Sequence, residues 1–328
     1  MIYSSPGKII LAGEHAVVHG YPSIVSAISL RARLEYMTNN EHFYTLSLED
    51  HDIVIEEKEM RDLLMKTTKV FPIFNHIYEI LPEEAKQGNG FKMRLESSIP
   101  ESAGLGSSAA ICACLVKAIF THHGITIDRG QFLHYSKEAE KFFHENSSGI
   151  DTTASINGGT FMYNQGKIVD VLSEPIEMNG SLLIVNSRVP RDTGEMVARV
   201  EESLAKAPEL TRDAFKGIEE TVGAIWKEMK GGSINIDRLG SLFLKNHQHL
   251  RDLKVSTPIL ESIIKLGIQE GATGGKITGA GGGGCVLLLS PRENINNIRE
   301  ILVGQGCDVF KVTLDDDGFM ESNGIENG

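Results

Sequence analysis

The sequence predicts an α+β protein of two units, and three observations carry that expectation. Short apolar runs of strand length surround one helical stretch in the first hundred residues. Two helical periodicities then follow in succession, at 108–123 and 129–144. Finally, Asn179-Gly180 interrupts the chain just before a new apolar strand. With 328 residues, 41% of them hydrophobic, the chain is long enough for two cores.

In chain order, residues 8–11, 44–48, 53–55 and 91–95 read as strands and 61–81 as one helix. Ile111, Leu115 and Ile119 recur at helical spacing until Gly124, and 129–144 form the next helix. A glycine-containing loop leads into a hairpin of 159–163 and 167–172. The boundary falls at 180, dividing the chain into 1–180 and 181–328. The second unit reads as a strand at 182–185, helices at 194–206, 212–230, 236–250 and 258–270, and strands at 285–290 and 309–314. The polar tail, 315–328, is expected to fray.

Charge narrows the function. Thirty-two Lys and Arg against 44 Asp and Glu give a net charge of -12, which argues against a general nucleic-acid or anionic-membrane partner. No run approaches the roughly 18 apolar residues of a membrane span, and the opening MIYSSPGK lacks a basic, apolar leader, so a cytoplasmic location is expected. Cys112, Cys114, Cys285 and Cys307 lack paired C-x-x-C spacing and are expected to be buried free thiols.

The most informative segment is 100–110, PESAGLGSSAA. Gly104 and Gly106 permit positive φ and close backbone approach, Ser107 and Ser108 sit where a helix N-cap should be, and the helix end would face an anion. A turn followed by a capped helix would read the same way. Both 104–109 and 279–284 match G-x-G-x-x-G/A by letter, but the second runs into the strand Cys285-Val-Leu-Leu-Leu and the first lies outside a βαβ series, which disfavours a dinucleotide fold. Gly7-Lys8 lacks the glycine of a Walker loop.

Ser108 and Glu140 are oxygen donors suited to Mg²⁺ bound with ATP, although an isolated helical glutamate is ordinarily solvated. Asp151 lies among small and β-branched residues, where a carboxylate is either bonded in a turn or placed for proton transfer, and Lys8 is its candidate partner. His15 and His19 share a helical spacing but lack a third metal ligand. His122, His123, His247 and His249 read as helix-end or surface residues. Arg191 and Thr193 offer a guanidinium and a hydroxyl for a carboxylate, or a strand-to-helix turn capped by Thr193.

Three segments in order, 6–20 (PGK through GEHAVVHG), 100–110, and 276–285 (KITGAGGGGC), resemble the galactokinase, homoserine kinase, mevalonate kinase and phosphomevalonate kinase (GHMP) superfamily. GEHAVVHG, NSRVPRDT at 186–193 and residues 246–255 are most similar to its mevalonate kinase family. That resemblance implies a ribosomal protein S5 domain 2-like N-terminal domain and a ferredoxin-like C-terminal domain, with the site in the cleft between them. It further implies ATP:mevalonate 5-phosphotransferase activity, with Asp151 orienting or deprotonating the acceptor hydroxyl and Lys8 stabilising charge. Ser97 and the loop Ser102, Ala103, Gly104, Leu105, Gly106, Ser107 and Ser108 would contact ATP. Ser108 and Glu140 would hold Mg²⁺, and His15, Arg191, Thr193 and Gly281 would face mevalonate. Ser102 stands where the family often has glycine, Glu101 adds a charge beside it, and 145–151 departs from the family's G-x-P-S-G-x-D. A homodimer is compatible with the sequence, which leaves oligomeric state open.

Overall fold

The computed structural model describes residues 1–39, 43–81, 83, 90–143, 148–174 and 177–323. Two long antiparallel strands, β1 (Ile2–Ala12) and β2 (Ser23–Asn39), form the spine of the first sheet, with Lys8 opposite Ala27 and a register shift between Pro6 and Gly7. Sequence reading missed β2. Its first residues, 23–28, are buried on both faces and so do not alternate; beyond Arg31 the strand turns amphipathic, with Ala32, Leu34 and Tyr36 inward and charged Arg33 and Glu35 between them.

The sheet continues with β3 (Tyr44–Leu48), β4 (Ile53–Glu57), β5 (Gly90–Ser97), β6 (Thr160–Asn164) and β7 (Lys167–Val171). β5 joins β2 to β3 and then β4, while β6 pairs with β2 on its other stretch and carries β7 as the expected hairpin. The helix read at 61–81 is two helices, α1 (Met60–Val70) and α2 (Pro72–Glu79), because Pro72 has no N–H to donate and instead opens the second.

Behind the sheet, α3 (Ser107–His122) is apolar nearly all round and correspondingly buried, its Ala and Cys residues allowing close packing on β1 and β2. It is flanked by α4 (Arg129–Glu140) and α5 (Ile150–Asn157). The sequence placed 145–158 in a loop; α5 is short, and its start is marked by a left-handed Gly149 rather than a polar cap. Residues 144–147, which include the end of the expected helix and most of the family departure, lie outside the described residues.

The second sheet consists of β9 (Ser181–Asn186), β11 (Gly274–Thr278), β12 (Cys285–Ser290) and β13 (Asp308–Val312), ordered β11-β12-β9-β13 and antiparallel throughout. Between β9 and β11 run α6 (Thr193–Lys206), α7 (Pro208–Met229), α8 (Ile236–Asp252) and α9 (Pro258–Gln269); α10 (Ile295–Gly304) links β12 to β13. This connectivity is ferredoxin-like. β8 (Glu177–Met178) and β10 (Ser233–Ile234) form a small parallel pair. β11 and α10 were missed, the first because its GGKIT sequence opens on two glycines and shows little apolar pattern.

The chain then returns to the first sheet. β14 (Met320–Ser322) pairs with Ile2–Ser4 of β1, and Arg31 fastens the approach through Asp315 and the Gly318 carbonyl, so this part of the tail is anchored rather than frayed. Residues 324–328 of the tail lie outside the described residues. All four cysteines are buried free thiols; burial pushes Cys114 and Cys285 up to about 12, chemistry that suits packing rather than nucleophilic attack.

Candidate active site

Lys8 leaves β1 almost completely buried and makes three connections. Its Nζ stands 3.0 Å from Asp151 Oδ1 and donates to the Gly104 carbonyl at 3.1 Å, while its backbone N–H donates to the Leu105 carbonyl at 2.7 Å. One lysine thus fastens the loop 100–106 to the sheet and orients a carboxylate beside it. Asp151 is the second residue of α5, partly open to solvent, where an anion is favoured by the helix dipole.

The loop enters α3 through Gly106 at φ 75, and no side chain caps the helix. Ser107 and Ser108 are the first two residues of α3 itself, which corrects the expectation that they sit at the N-cap. An uncapped helix start preceded by left-handed glycine leaves backbone N–H groups directed toward the cleft, the arrangement suited to an anion. Ser102 takes φ 53, so a side-chain-bearing residue holds the left-handed conformation where the resembled family often has glycine.

A cavity of about 570 Å³ lies over this start, lined by Glu101, Ser102, Gly104, Ser107, Ser108, Asp151, Arg191 and Thr193 among others. Arg191 reaches across from the second unit and its Nε donates to the Ser102 carbonyl at 3.2 Å. Burial lowers the guanidinium's pKa, and the charge of Asp151 opposes that fall. Asp192, not Thr193, caps α6, accepting from the Glu195 N–H at 2.9 Å; Thr193 is left facing the cavity.

Glu140, at the end of α4, is buried rather than solvated and accepts a hydrogen bond from Thr152 Oγ1 of α5. Among the described residues there is no group of three or more His, Cys, Asp or Glu placed to hold a metal. Ser97 lies outside the 570 Å³ cavity, in a neighbouring one of about 610 Å³ with Asp50 and His51, and its N–H donates to Asp50 Oδ2 at 2.7 Å. The two cavities share Pro100, Glu101 and Ile111. Glu101 lies 3.0 Å from His51 Nε2 on the exposed rim.

His15 is buried at the turn after β1, with φ 60 and its Nε2–H donating to the Ala280 carbonyl at 2.8 Å; burial lowers its pKa. His19, ending a short 3-10 turn, instead stacks on Phe215 and approaches Glu201. Gly281 packs against Val255, where a Cβ would stand 2.3 Å from the carbonyl oxygen. His247, expected at a helix end or on the surface, lies near the end of α8 but is buried, its Nε2–H donating to Glu261 at 3.0 Å.

Sequence reasoning overlooked one constellation entirely. Glu14, beside His15, forms a fully buried ion pair with Lys276 of β11; Lys276 also donates to the Ile10 carbonyl at 3.2 Å, and Asn246 of α8 donates to Glu14 at 3.2 Å. The available signal was a charge of each sign inside otherwise apolar or glycine-rich motifs, GEH and GGKIT.

Fold and cleft together define a kinase of the GHMP class, and two family models agree: GHMP kinases N terminal domain matches residues 72–159 and GHMP kinases C terminal matches 230–307. A mevalonate kinase of Pyrococcus furiosus is 33% identical, covering 93% of this chain and 94% of its own. The crystal structure of Methanococcus jannaschii mevalonate kinase superposes with TM-score 0.82 at 29% identity over 96% of this chain and 98% of that one. On these grounds the chain belongs to the mevalonate kinase family. The fold also matches L. major mevalonate kinase in complex with R-mevalonate, with TM-score 0.75 at 23% identity, covering 95% of each chain.

Proposed function

We propose that this protein transfers the γ-phosphoryl group of ATP to the 5-hydroxyl of (R)-mevalonate, giving 5-phosphomevalonate and ADP for isoprenoid biosynthesis in the cytoplasm. The observation that carries the reading is the Lys8–Asp151 pair, 3.0 Å apart, set at the edge of a cavity walled by the uncapped start of α3. Phosphoryl transfer needs positioning and charge neutralisation more than covalent catalysis, and the site supplies both.

In this reading the loop 102–108 receives the nucleotide phosphates through backbone N–H groups, with Ser97 near the neighbouring cavity on the nucleoside side. Asp151 orients the acceptor hydroxyl and takes its proton, while Lys8 Nζ holds that carboxylate and offsets negative charge. Arg191 and Thr193 face the acceptor's carboxylate end, with His15 and Gly281 shaping that side. Ser108 and Glu140 would hold Mg²⁺: hard oxygen donors few in number fit a cation that keeps most of its ligands on phosphate and water. When bound, the ion supplies neutralisation of phosphate charge. The division at 180/181, with β14 returned to the first unit, belongs to the same proposal.

A sister kinase acting on phosphomevalonate, homoserine or a sugar is the alternative. Phosphomevalonate is disfavoured because it would need a second basic cluster, and Arg188, close to Arg191 in sequence, is held by Asp308, its Nε 3.0 Å from Oδ2. A nicotinamide oxidoreductase is disfavoured because 279–284 joins two antiparallel strands, β11 and β12, rather than opening a helix. ADP release measured with Mg²⁺ across mevalonate, phosphomevalonate, homoserine and galactose tests the reading. Mevalonate alone should support rapid turnover, and its failure to do so would sink it.

A further inference from the structure

The turn that follows β1 contains two residues the structure treats differently. His15 is held at φ 60, a conformation that costs a side-chain-bearing residue on the order of 1–2 kcal/mol and persists only where the surroundings impose it. Glu14, immediately before it, is 1% exposed and paired with fully buried Lys276. A buried ion pair is seldom retained for stability, since removing two charges from water offsets most of their attraction. Something about this pair's placement therefore calls for explanation.

Its connections run in both directions across the two units. Lys276 lies on β11 yet donates to the carbonyl of Ile10 on β1, and Glu14 follows β1 yet accepts from Asn246 on α8. Two residues further along β11, Thr278 Oγ1 accepts from the Ile10 N–H at 3.1 Å. Just past β11, the Ala280 carbonyl accepts the hydrogen bond from His15. The ion pair and the His15–Ala280 bond thus tie the same two segments, four residues apart on one side and adjacent on the other.

We propose that Glu14 and Lys276 are a positioning pair: they hold the strained turn against β11 so that His15 keeps its place beside the glycine-rich segment on the acceptor side of the cleft. This rests on the reading of His15 as acceptor-facing. None of Glu14, Lys276 and His15 lines the cavity over α3 itself; the pair touches the turn and β11, and its link to the acceptor side runs through the His15–Ala280 bond. The nucleotide side, built on Lys8 and the loop 102–106, is fastened independently by the Lys8 contacts to Gly104 and Leu105.

The test replaces both charges at once, Glu14→Gln with Lys276→Met, so that neither is left buried alone. Steady-state kinetics are measured on the full chain with whichever hydroxyl acceptor the wild type turns over, so the substrate assignment and the positioning role fail separately. KM for the acceptor should rise about tenfold or more, as expected when a substrate-facing group loses its orientation, with KM for ATP changed by less than about twofold. A purely structural role would lower Tm while leaving both KM values of the folded fraction unchanged, and that outcome overturns the proposal. Should the double variant not fold, Asn246→Ala carries the test, because it removes one donor to Glu14 while the charges stay paired. The acceptor KM should rise there too, and an unchanged value overturns the proposal.

Discussion

The guanidinium of Arg191 rests over the α-carbon of Gly104, so closely that a methyl group at that carbon would stand 2.2 Å from Nη1. A residue of the second unit thereby covers the loop of the first. Gly104→Ala would both expel Arg191 and force a side-chain-bearing residue to φ 83, a strain of about 1–2 kcal/mol. We expect kcat/KM to fall at least tenfold for ATP and for mevalonate together. Gly124→Ala is the control, since φ 68 imposes comparable strain there but nothing lies within 4 Å. Equal effects of the two substitutions on kcat/KM would rule out a role for the Arg191 contact.

Removing the carboxylate beside Lys8 should be far more damaging. Asp151→Ala is expected to lower kcat by about 10³ or more, the scale of a lost general base, while ATP binding measured by calorimetry persists. Near-normal turnover would remove Asp151 from the mechanism.

Glu140→Gln keeps the shape of a buried side chain that accepts from Thr152 but removes its charge. The Mg²⁺ concentration giving half-maximal turnover should rise about tenfold, the lower end of the range for perturbing a metal's surroundings. An unaltered Mg²⁺ dependence would show that Glu140 does not serve the ion.

His15, His247 and His249 all titrate below the ordinary histidine value of 6.5, chiefly through burial. Because the folded pKa is the lower one, the unfolded chain binds more protons below 6.5. Stability should accordingly decline as pH falls from 6.5 through the folded values and gain nothing from these groups above 6.5. Urea midpoints between pH 5 and 8 check this, and His247→Gln should flatten the decline. A midpoint constant from pH 6.5 to 5 contradicts it.

Ser102→Gly relieves a left-handed serine at φ 53, but also loosens the unfolded chain. The net expectation is a stabilisation of about 0.5 kcal/mol, read as a small rise in Tm. A clear loss of stability would mean that the serine side chain holds the loop.

What the sequence disclosed followed from how local the signal was. The loop and α3 were legible because two glycines, two serines and a helical apolar period lie within twenty residues. Lys8 as partner to Asp151 was inferred from two charges in unexpectedly apolar settings, although 143 positions separate them. Glu14 and Lys276, 262 apart, offered the same signal and went unpaired, since nothing in either segment points to the other. The start of α3 was misplaced because serine at a helix start ordinarily caps, whereas here Gly106 holds the N-cap position and no side chain bonds the first N–H groups. β2 and α5 were lost for complementary reasons: one is buried on both faces over part of its length, the other is only two turns long.

The pairing of β14 with β1 also bears on the order of synthesis. β1 carries Lys8, yet its outer edge at Ile2–Ser4 pairs with residues 320–322. A ribosome must therefore make more than three hundred further residues after Lys8 before that edge finds its partner. Until then the nascent chain presents an unpaired strand end of the kind that recruits other strands, and the first residues of the strand that carries Lys8 are among the last to be shielded.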